Sequence, residues 1–439
     1  MLKSQITRSV DQLKQVLGES ELFLLGRRSG FEKRARSITT LRFVSSLLQS
    51  LGTRRIESIA DLLRDFNRDH ETEVYYKPYY NRLDCPGFPE LMRQVFEAMM
   101  SGLRAQVLKP AKDGPFQRFK DIVIHDGTSF ALHDGLVESF PGRFTKVSPA
   151  AVELHTTLSL FYDNFTCVTA APDRESERDF VPSPSELRDK LFLADSGLDS
   201  TPFMQEIERE SGHFLIRLRA CLDPWVERIH HCGSRYRAWE GRRLSTVIQQ
   251  LPKGKRHDLD VECRDGWRAR LVLKWGGPEH GWIRLITNLA RTDFDVVEIL
   301  RAYRLRWQVE LYYKELKSYA NLHAFCTSKP YIAEGLIWGA LCAAFLKRYI
   351  AHACQRTSRD AISTRRVAMC SHSFLADFFQ CLRQGFRGLR SLLEKTFRFL
   401  QVNALRSNLN RERRRGRLAF GLELAGPVPS RALPLRDHL

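Results

Sequence analysis

Three carboxylate residues have positions that could support chemistry with metal ions. Asp126 follows the apolar run 122–124, and Asp195 follows the apolar run 191–194. Each is expected at the end of a buried strand, and strand ends form the ligand crevice of an open α/β sheet. A single aspartate after a strand is commonly a turn residue. With Glu310 as a third carboxylate and no nearby His or Cys ligand set, we predict a site for two Mg²⁺ or Mn²⁺ ions.

Further polar residues accompany Glu310 in the segment "AYRLRWQVELYYKELKSYANL", 302–322. Tyr303, Arg306, Glu310 and Lys317 follow one another at steps of 3, 4 and 7, so on one helix they fall within about 60° of each other. One interpretation is a solvated face with ion pairs at i, i+4. The other is that Glu310 joins the two aspartates while Arg306 and Lys317 bind phosphates and Tyr303 hydrogen-bonds or stacks nearby.

The composition favours a polyanionic partner for such a site. Lys and Arg number 69 against 51 acidic residues, giving a net charge of +18 and a pI of about 9.6, as is typical of nucleic-acid-binding proteins. From residue 347 to the end there are 19 basic and 6 acidic residues, whereas 1–112 has 19 and 13. The middle is close to neutral, as an acidic metal site would make it. The run "RERRRGR", 411–417, can also be read as solvated charge.

Residues 1–115 have the apolar spacing of helices throughout, which predicts an all-α N-terminal domain. Within it, "SLGTRRIESIADLLRDF" followed by "YYKPYYNRL" resembles a helix-turn-helix. In that arrangement Arg54, Arg55, Lys77 and Arg82 would meet DNA phosphates. An ordinary helical bundle is the alternative.

The middle of the chain, 116–330, has the pattern of a mixed α/β sheet. A strand in "DIVIHDGTSFAL", ending near Asp126, is followed by a hairpin in "VELHTTLSLFYDNFTCVTAA", a helix in "SPSELRDK", and strands in "LFLA" and "HFLIRLRA". A β-rich stretch, about 225–290, then separates this sheet from the helix of Glu310. The remainder reads as a basic helical region, 331–422, and a disordered tail, 423–439.

Other features indicate a soluble intracellular protein. Ten cysteines occur without a C-x-x-C motif, which favours reduced thiols over disulfides. The N-terminus carries charges throughout and lacks the pattern of a signal peptide. The most apolar window, "GLIWGALCAAFL", is too short to span a membrane.

The polar residues of 302–322 read Y-x2-R-x3-E-x6-K, which resembles the signature of the IS-four family of bacterial insertion-sequence transposases. "IVIHDGTSF" and "LFLADSGLDS" are similar to the two aspartate strands of that family, and "RLRWQVELYYKELK" is similar to its glutamate helix. The resemblance covers about 116–325. It implies a DDE triad of Asp126, Asp195 and Glu310 on an RNase H-like fold with a β-rich insertion.

The same resemblance implies cut-and-paste transposition. The element ends are hydrolysed, the freed 3′-hydroxyl attacks the opposite strand to give a hairpin, and the opened end is transferred to target DNA. Expected partners are double-stranded DNA, at the terminal inverted repeats and the target, and a second copy of the chain in a synaptic dimer. The location would be the bacterial cytoplasm, at the nucleoid. The alternatives are a non-catalytic DNA-binding regulator of transposition and a structure-specific nuclease of the same fold.

A further residue carried over from this resemblance is Trp282, in "HGWIRLITNL". Hairpin-forming members place an aromatic residue here to hold a flipped base, and stacking of a base on an aromatic ring is worth roughly 1–3 kcal/mol. A tryptophan in the core of a strand is the alternative. One departure is Ser196, at a position where family members often carry a basic residue.

Overall fold

The computed structural model describes residues 2–34, 37–230, 234–263, 266–322, 325, 327–408, 418 and 421–426. The N-terminal part is helical, as predicted, up to a short strand before residue 111. Helices α1 to α6 are Leu2–Leu17, Glu19–Arg28, Thr40–Thr53, Ile59–His70, Tyr76–Leu83 and Gly87–Gly102, and strand β1 is Leu108–Pro110.

Two of the four basic residues that we expected to meet phosphates are engaged inside this helical region. Arg54 forms an ion pair at 2.7 Å with Asp65, whose side chain is buried. Arg82 donates a hydrogen bond to the carbonyl oxygen of Phe31. Arg55 and Lys77 are exposed. Arg54 and Arg82 thus also bond within their own fold, and phosphate contacts of all four residues stay a prediction.

A mixed sheet of ten strands forms the middle of the molecule. In chain order the strands β2 to β11 are Asp121–Ala131, Ala151–Ser159, Asn164–Pro172, Lys190–Ala194, His213–Arg217, Trp225–His230, Arg242–Arg243, Arg256–Glu262, Arg268–Trp275 and Trp282–Thr287. Helix α7, Thr201–Arg209, precedes β6, and helix α8, Leu244–Gln250, precedes β9. The strand order is β4-β3-β2-β5-β6-β11-β10-β9-β7-β8. Strands β2, β5 and β6 are parallel neighbours, and the other pairings are antiparallel.

The β-rich stretch between β6 and the helix of Glu310 continues this sheet. Strand β11 pairs with β6, with Ile286 opposite Ile216, and β10, β9, β7 and β8 follow outward. In chain order the stretch separates the sheet from the helix of Glu310, as expected, and its strands extend that sheet rather than forming a separate one. The helix expected in "SPSELRDK" is a single 3₁₀ turn, Pro184–Leu187, because the chain enters β5 at Lys190.

The segment that we expected to form one helix around residue 306 consists of two. Helix α9 is Val296–Arg304 and helix α10 is Trp307–Tyr319. Between them Arg306 N–H donates to the carbonyl of Tyr303 at 3.1 Å, three residues back rather than four. The junction therefore has 3₁₀-type bonding, which in a helix often marks a functional hinge.

The C-terminal part is helical and shares its core with the N-terminal helices. Helices α11 to α14 are Pro330–Gln355, Thr364–Met369, Leu375–Arg383 and Leu389–Asn403. Helix α11 is buried along most of its length and packs on α3 and α6. A Cβ at Gly335 would lie 2.3 Å from the ring of Phe88, so only glycine permits this close approach. Within the described residues, no helix is both long and apolar enough to cross a membrane.

The last described residues depart from the irregular tail expected after 422. Strand β12, Leu422–Leu424, pairs antiparallel with β1, so that Leu424 lies opposite Leu108. This pairing ties the end of the helical C-terminal region to the entry of the sheet. The rest of the expected tail, 427–439, and the basic run 411–417 lie outside the described residues. The eight described cysteines are free thiols, as expected.

Alternation along the strands gives the sheet two apolar faces. Ile122 and Ile124 of β2 belong to the larger core, which also contains apolar residues of α9, α10 and α11. Val123 belongs to a second core on the other face, together with residues of α7 and α8. Because side chains alternate along a strand, Asp126 shares the face of Ile122 and Ile124, toward α9 and α10.

Candidate active site

The parallel pairing of β2 and β5 brings the two aspartates to neighbouring positions. The register pairs Ile122 with Leu191 and Ile124 with Leu193, so its continuation puts Asp126 level with Asp195. Neighbouring strands lie about 4.8 Å apart. Both aspartates stand where this parallel pairing ends, which is the position of the ligand crevice in an α/β sheet.

Asp126 does not end its strand, contrary to our expectation. Strand β2 continues to Ala131 because β3 pairs with it along this length, with Thr156 opposite Asp126 and Ala151 opposite Ala131. Strand β5, the parallel partner of β2, ends at Ala194, one residue before Asp195. Asp195 does follow directly after β5, and its Oδ1 accepts a hydrogen bond from Ser196 N–H at 2.7 Å.

Arg306 connects the first aspartate to the glutamate. Its Nη1 lies 3.1 Å from Asp126 Oδ2, and its Nη2 lies 2.6 Å from Glu310 Oε1. The Arg306 side chain is 14% exposed, and those of Asp126 and Glu310 are 20% and 26% exposed. The predicted i, i+4 pair of Arg306 with Glu310 is present, but it lies in the cleft rather than on a solvated face.

Tyr303 reaches the second aspartate from α9. Its hydroxyl donates to Asp195 Oδ1 at 3.4 Å, and burial raises its pKa with a further contribution from the Asp195 charge. The junction of α9 and α10 thus places one polar side chain against Asp195 and another against Asp126. The structure gathers Asp126, Asp195, Glu310, Tyr303 and Arg306 into one site.

Burial and neighbouring negative charges make ionisation of Asp126 costly. Burial raises the pKa of Asp126 to about 6, the Arg306 guanidinium opposes this rise, and the Asp195 and Glu310 charges add to it. The ionised form is therefore disfavoured relative to water even with the arginine in place. Perturbed carboxylates in a cleft are characteristic of functional sites.

The donor types at this site suit a hard divalent cation, whose preferred ligands are carboxylate oxygens. The side chains are not arranged around a common ion position: within the described part of the chain, no three His, Cys, Asp or Glu side chains lie close enough to hold an ion. The Arg306 guanidinium lies between Asp126 and Glu310 instead, and its charge partly neutralises them.

Lys317 and Trp282 lie further from the carboxylates. Lys317 Nζ donates to the carbonyl of Ser129 at 3.0 Å, so it lies alongside β2 three residues beyond Asp126. Trp282 begins β11 and packs edge-on against Trp275, with ring centroids 5.5 Å apart. The start of β11 lies at the same edge of the sheet as Asp195, two strands away.

Two residues at the site were missed by the sequence reasoning. Tyr313, on α10, donates its hydroxyl to the carbonyl of Asp126, and its position three residues after Glu310 was a usable signal. Glu177 Oε2 lies 3.1 Å from the place of a Cβ at Gly197. Burial, with the Asp126, Glu153 and Asp195 charges, raises the pKa of Glu177 to about 7. Its polar surroundings, "DRESERDF", read only as a loop.

A family model described as the transposase DDE domain matches residues 117–346, and the chain belongs to this family. The matched range begins before β2 and ends within α11, so it contains every residue of the site. The family and the fold thus agree on which part of the chain carries the cleft.

Similar proteins include two transposases of insertion elements. The putative transposase InsL for insertion sequence element IS186A of Escherichia coli (strain K12) is 26% identical over 257 residues, which is 50% of this chain. The transposase for insertion sequence element IS421 of Escherichia coli matches to the same extent. The match spans 65% of the length of each relative. A cryo-EM structure of the piggyBac transposase synaptic complex with hairpin DNA aligns with a TM-score of 0.46 at 12% identity, covering 92% of this chain and 89% of that one.

Proposed function

We propose that the chain is a DNA transposase that moves an insertion sequence by cut-and-paste transposition, with Asp126, Asp195 and Glu310 as its catalytic triad. The observation that carries the proposal is the convergence of these carboxylates: two lie at adjacent strand positions, and the third is joined to Asp126 through Arg306. Membership in the DDE family and the likeness to insertion-sequence transposases support the reaction class.

The same three carboxylates would hold Mg²⁺ or Mn²⁺, as two ions. Their oxygens are the donors that such cations prefer, and the charges of Asp195 and Glu310 both act on Asp126. Two bound divalent cations activate the attacking oxygen and stabilise the leaving oxygen of a phosphodiester. Burial of the cleft strengthens every charge interaction inside it.

The cationic side chains would orient the DNA strand. Arg306, on the hinge between α9 and α10, presents a planar fork that fits a phosphate in two-point contact. Lys317 lies seven residues after Glu310, about 10 Å along the helix, and would bind a neighbouring phosphate. Tyr303 would donate its hydroxyl to a phosphate or stack beside the strand. This set corresponds to the Y-x2-R-x3-E-x6-K signature, and the sheet around β2 and β5 would be its RNase H-like core.

Trp282 would contact the end of the DNA strand where that strand leaves the cleft. Trp282 lies at the same end of the strands as Asp195. Its indole ring offers a surface on which a base flipped out of a hairpin can stack. Two copies of the chain would act on the two ends of the element together. A DNA hairpin among the reaction products, and a dimer in the presence of end DNA, are the corresponding observations.

The triad is tested by replacing each carboxylate with its amide: Asp126→Asn, Asp195→Asn and Glu310→Gln. DNA that carries the inverted repeats flanking the gene is incubated with each variant and Mg²⁺, and nicked, hairpin and joined products are separated on a gel. Each variant should lose cleavage while keeping its affinity for end DNA. Glu138→Gln, an exposed acid on the loop after β2, serves as the control and should cut normally.

Three results would reject parts of this proposal. Mg²⁺-dependent cutting by any triad variant removes that residue from the triad. Binding without any cutting by the unaltered chain indicates a regulator of transposition. Cutting without joined products indicates a nuclease of the same fold.

A further inference from the structure

Arg306 stands where the proposed cations would bind. Its two terminal nitrogens contact one oxygen of Asp126 and one of Glu310, at 3.1 and 2.6 Å. Since a guanidinium and a divalent ion are both attracted to these oxygens, and since each repels the other, they cannot share them at full strength. No cluster of three ligating side chains suited to an ion occurs in the described ranges, in agreement with this arrangement.

Loss of the arginine from this position would be costly unless something replaces its charge. Asp126 and Glu310 are mostly buried, and removal of one partner from a buried ion pair leaves an uncompensated charge. Arg306 also needs a new anion when it leaves. A DNA phosphate is such an anion, since it accepts two parallel hydrogen bonds from a guanidinium.

The backbone around Arg306 is suited to such an exchange. Arg306 lies between two helices, in a stretch whose N–H groups bond three residues back, and Val309 N–H bonds to the Arg306 carbonyl at 3.2 Å. Its side chain is therefore attached to a junction rather than to the interior of a long helix. Junctions of this kind absorb changes in backbone angle.

We propose that Arg306 is an internal counter-ion that couples metal loading to DNA binding. Without DNA, Arg306 holds Asp126 and Glu310 and weakens their affinity for divalent ions. A DNA phosphate draws Arg306 away and leaves the two carboxylates for the ions. This inference rests on the proposed function. It implies that DNA tightens metal binding and that metal tightens DNA binding by the same factor.

The coupling is tested by measuring Mn²⁺ affinity with electron paramagnetic resonance, with no DNA present. Arg306→Gln should bind Mn²⁺ roughly tenfold more tightly than the unaltered chain, because one nearby positive charge is gone. Arg306→Lys, which keeps the charge but cannot bridge both carboxylates, should lie between the two. Arg304→Gln is the matched control, since Arg304 lies on the same junction and is exposed. It should bind Mn²⁺ as the unaltered chain does.

A second measurement keeps the inference testable if Arg306→Gln does not fold. The Mn²⁺ affinity of the unaltered chain is measured with and without a short duplex from the flanking inverted repeat, and the duplex should increase it. Equal Mn²⁺ affinity of Arg306→Gln and the unaltered chain, or no effect of the duplex, overturns the coupling. Mn²⁺ binding that survives in Asp126→Asn and Asp195→Asn overturns the proposed metal site itself, so the two failures are distinguishable.

Discussion

Tyr313 donates its hydroxyl to the carbonyl oxygen of Asp126 at a distance of 2.6 Å. The hydroxyl of Thr156, on the neighbouring strand β3, lies 2.5 Å from the same tyrosine oxygen. Tyr313 is one helical turn beyond Glu310, so this bond sets the position of α10 along β2. It therefore controls how far Glu310 stands from Asp126, although Tyr313 itself is turned toward the backbone.

Replacement of Tyr313 by phenylalanine should destabilise the fold by about 1–3 kcal/mol, because buried hydrogen-bonding groups of Asp126 and Thr156 lose a partner. The free energy of unfolding in urea measures this loss. Tyr319→Phe is the control on the same helix, since the Tyr319 hydroxyl accepts a bond from Arg365 at the surface. Equal stability of the two variants would show that the Tyr313 bond contributes nothing.

Asp126→Asn should stabilise the metal-free protein at neutral pH. The pKa of Asp126 is raised from 3.8 to about 6, so the folded state holds its proton more tightly than the unfolded state. Stability therefore falls as the pH rises from about 4 to about 6 and stays lower above that. Asparagine avoids this cost, which is about 3 kcal/mol at most. Denaturation in EDTA should show the gain at pH 8 and little difference at pH 4, and a gain independent of pH would contradict the assignment.

Lys317→Ala should weaken binding of end DNA and lower the salt dependence of the binding constant by about one unit of slope, as the loss of one phosphate contact does. Lys120→Ala is the control, because Lys120 precedes the opposite end of β2 and pairs with Asp189. Binding titrations at several salt concentrations measure both slopes. An unchanged slope for Lys317→Ala would remove this residue from the DNA path.

Arg270→Met should destabilise the fold by about 3–5 kcal/mol. Arg270 forms a buried two-point pair with Asp258 at 3.0 and 2.9 Å and also donates to the carbonyls of Leu289 and Phe294. It thereby links β10 to the segment that leads into α9. Arg268→Met, whose side chain is 72% exposed, should change stability by less than about 1 kcal/mol. Similar denaturation midpoints for the two variants would contradict a structural role for Arg270.

The sequence predicted the aspartate positions because each follows an apolar run, and such runs form buried strands. It did not predict that β2 continues past Asp126, since pairing with β3 decides this and the residues beyond, "GTSFA", are of mixed polarity. The break between α9 and α10 was also unpredictable, because "YRLRW" contains neither proline nor glycine. There the ion pairs of Arg306 with residues on two elements accompany the local change in backbone bonding.

The residues around the triad were also only partly predictable from the sequence. Tyr313 had a helical spacing that could have identified it, whereas Glu177 approaches the cleft only through the fold of the loop after β4. The partners of Arg54, on α4, and of Arg82, in the segment between α2 and α3, likewise depend on packing between separate elements. Functional residues that follow a helical or strand spacing could be predicted from the sequence, whereas residues brought to the site by contacts between different segments could not.

The packing of α11 on α3 and α6 has a consequence for modular exchange between relatives. Its middle is apolar on all sides, and further along it Arg348 forms ion pairs with Asp163, in the turn between β3 and β4, at 2.9 Å and with Glu315, on α10, at 3.0 Å. A chimera that takes its first hundred residues from a relative would pack foreign α3 and α6 against this chain's α11, so the two sides of the interface would no longer match. Recombination between such proteins would have to carry this helix along with the first hundred residues in order to yield a folded product.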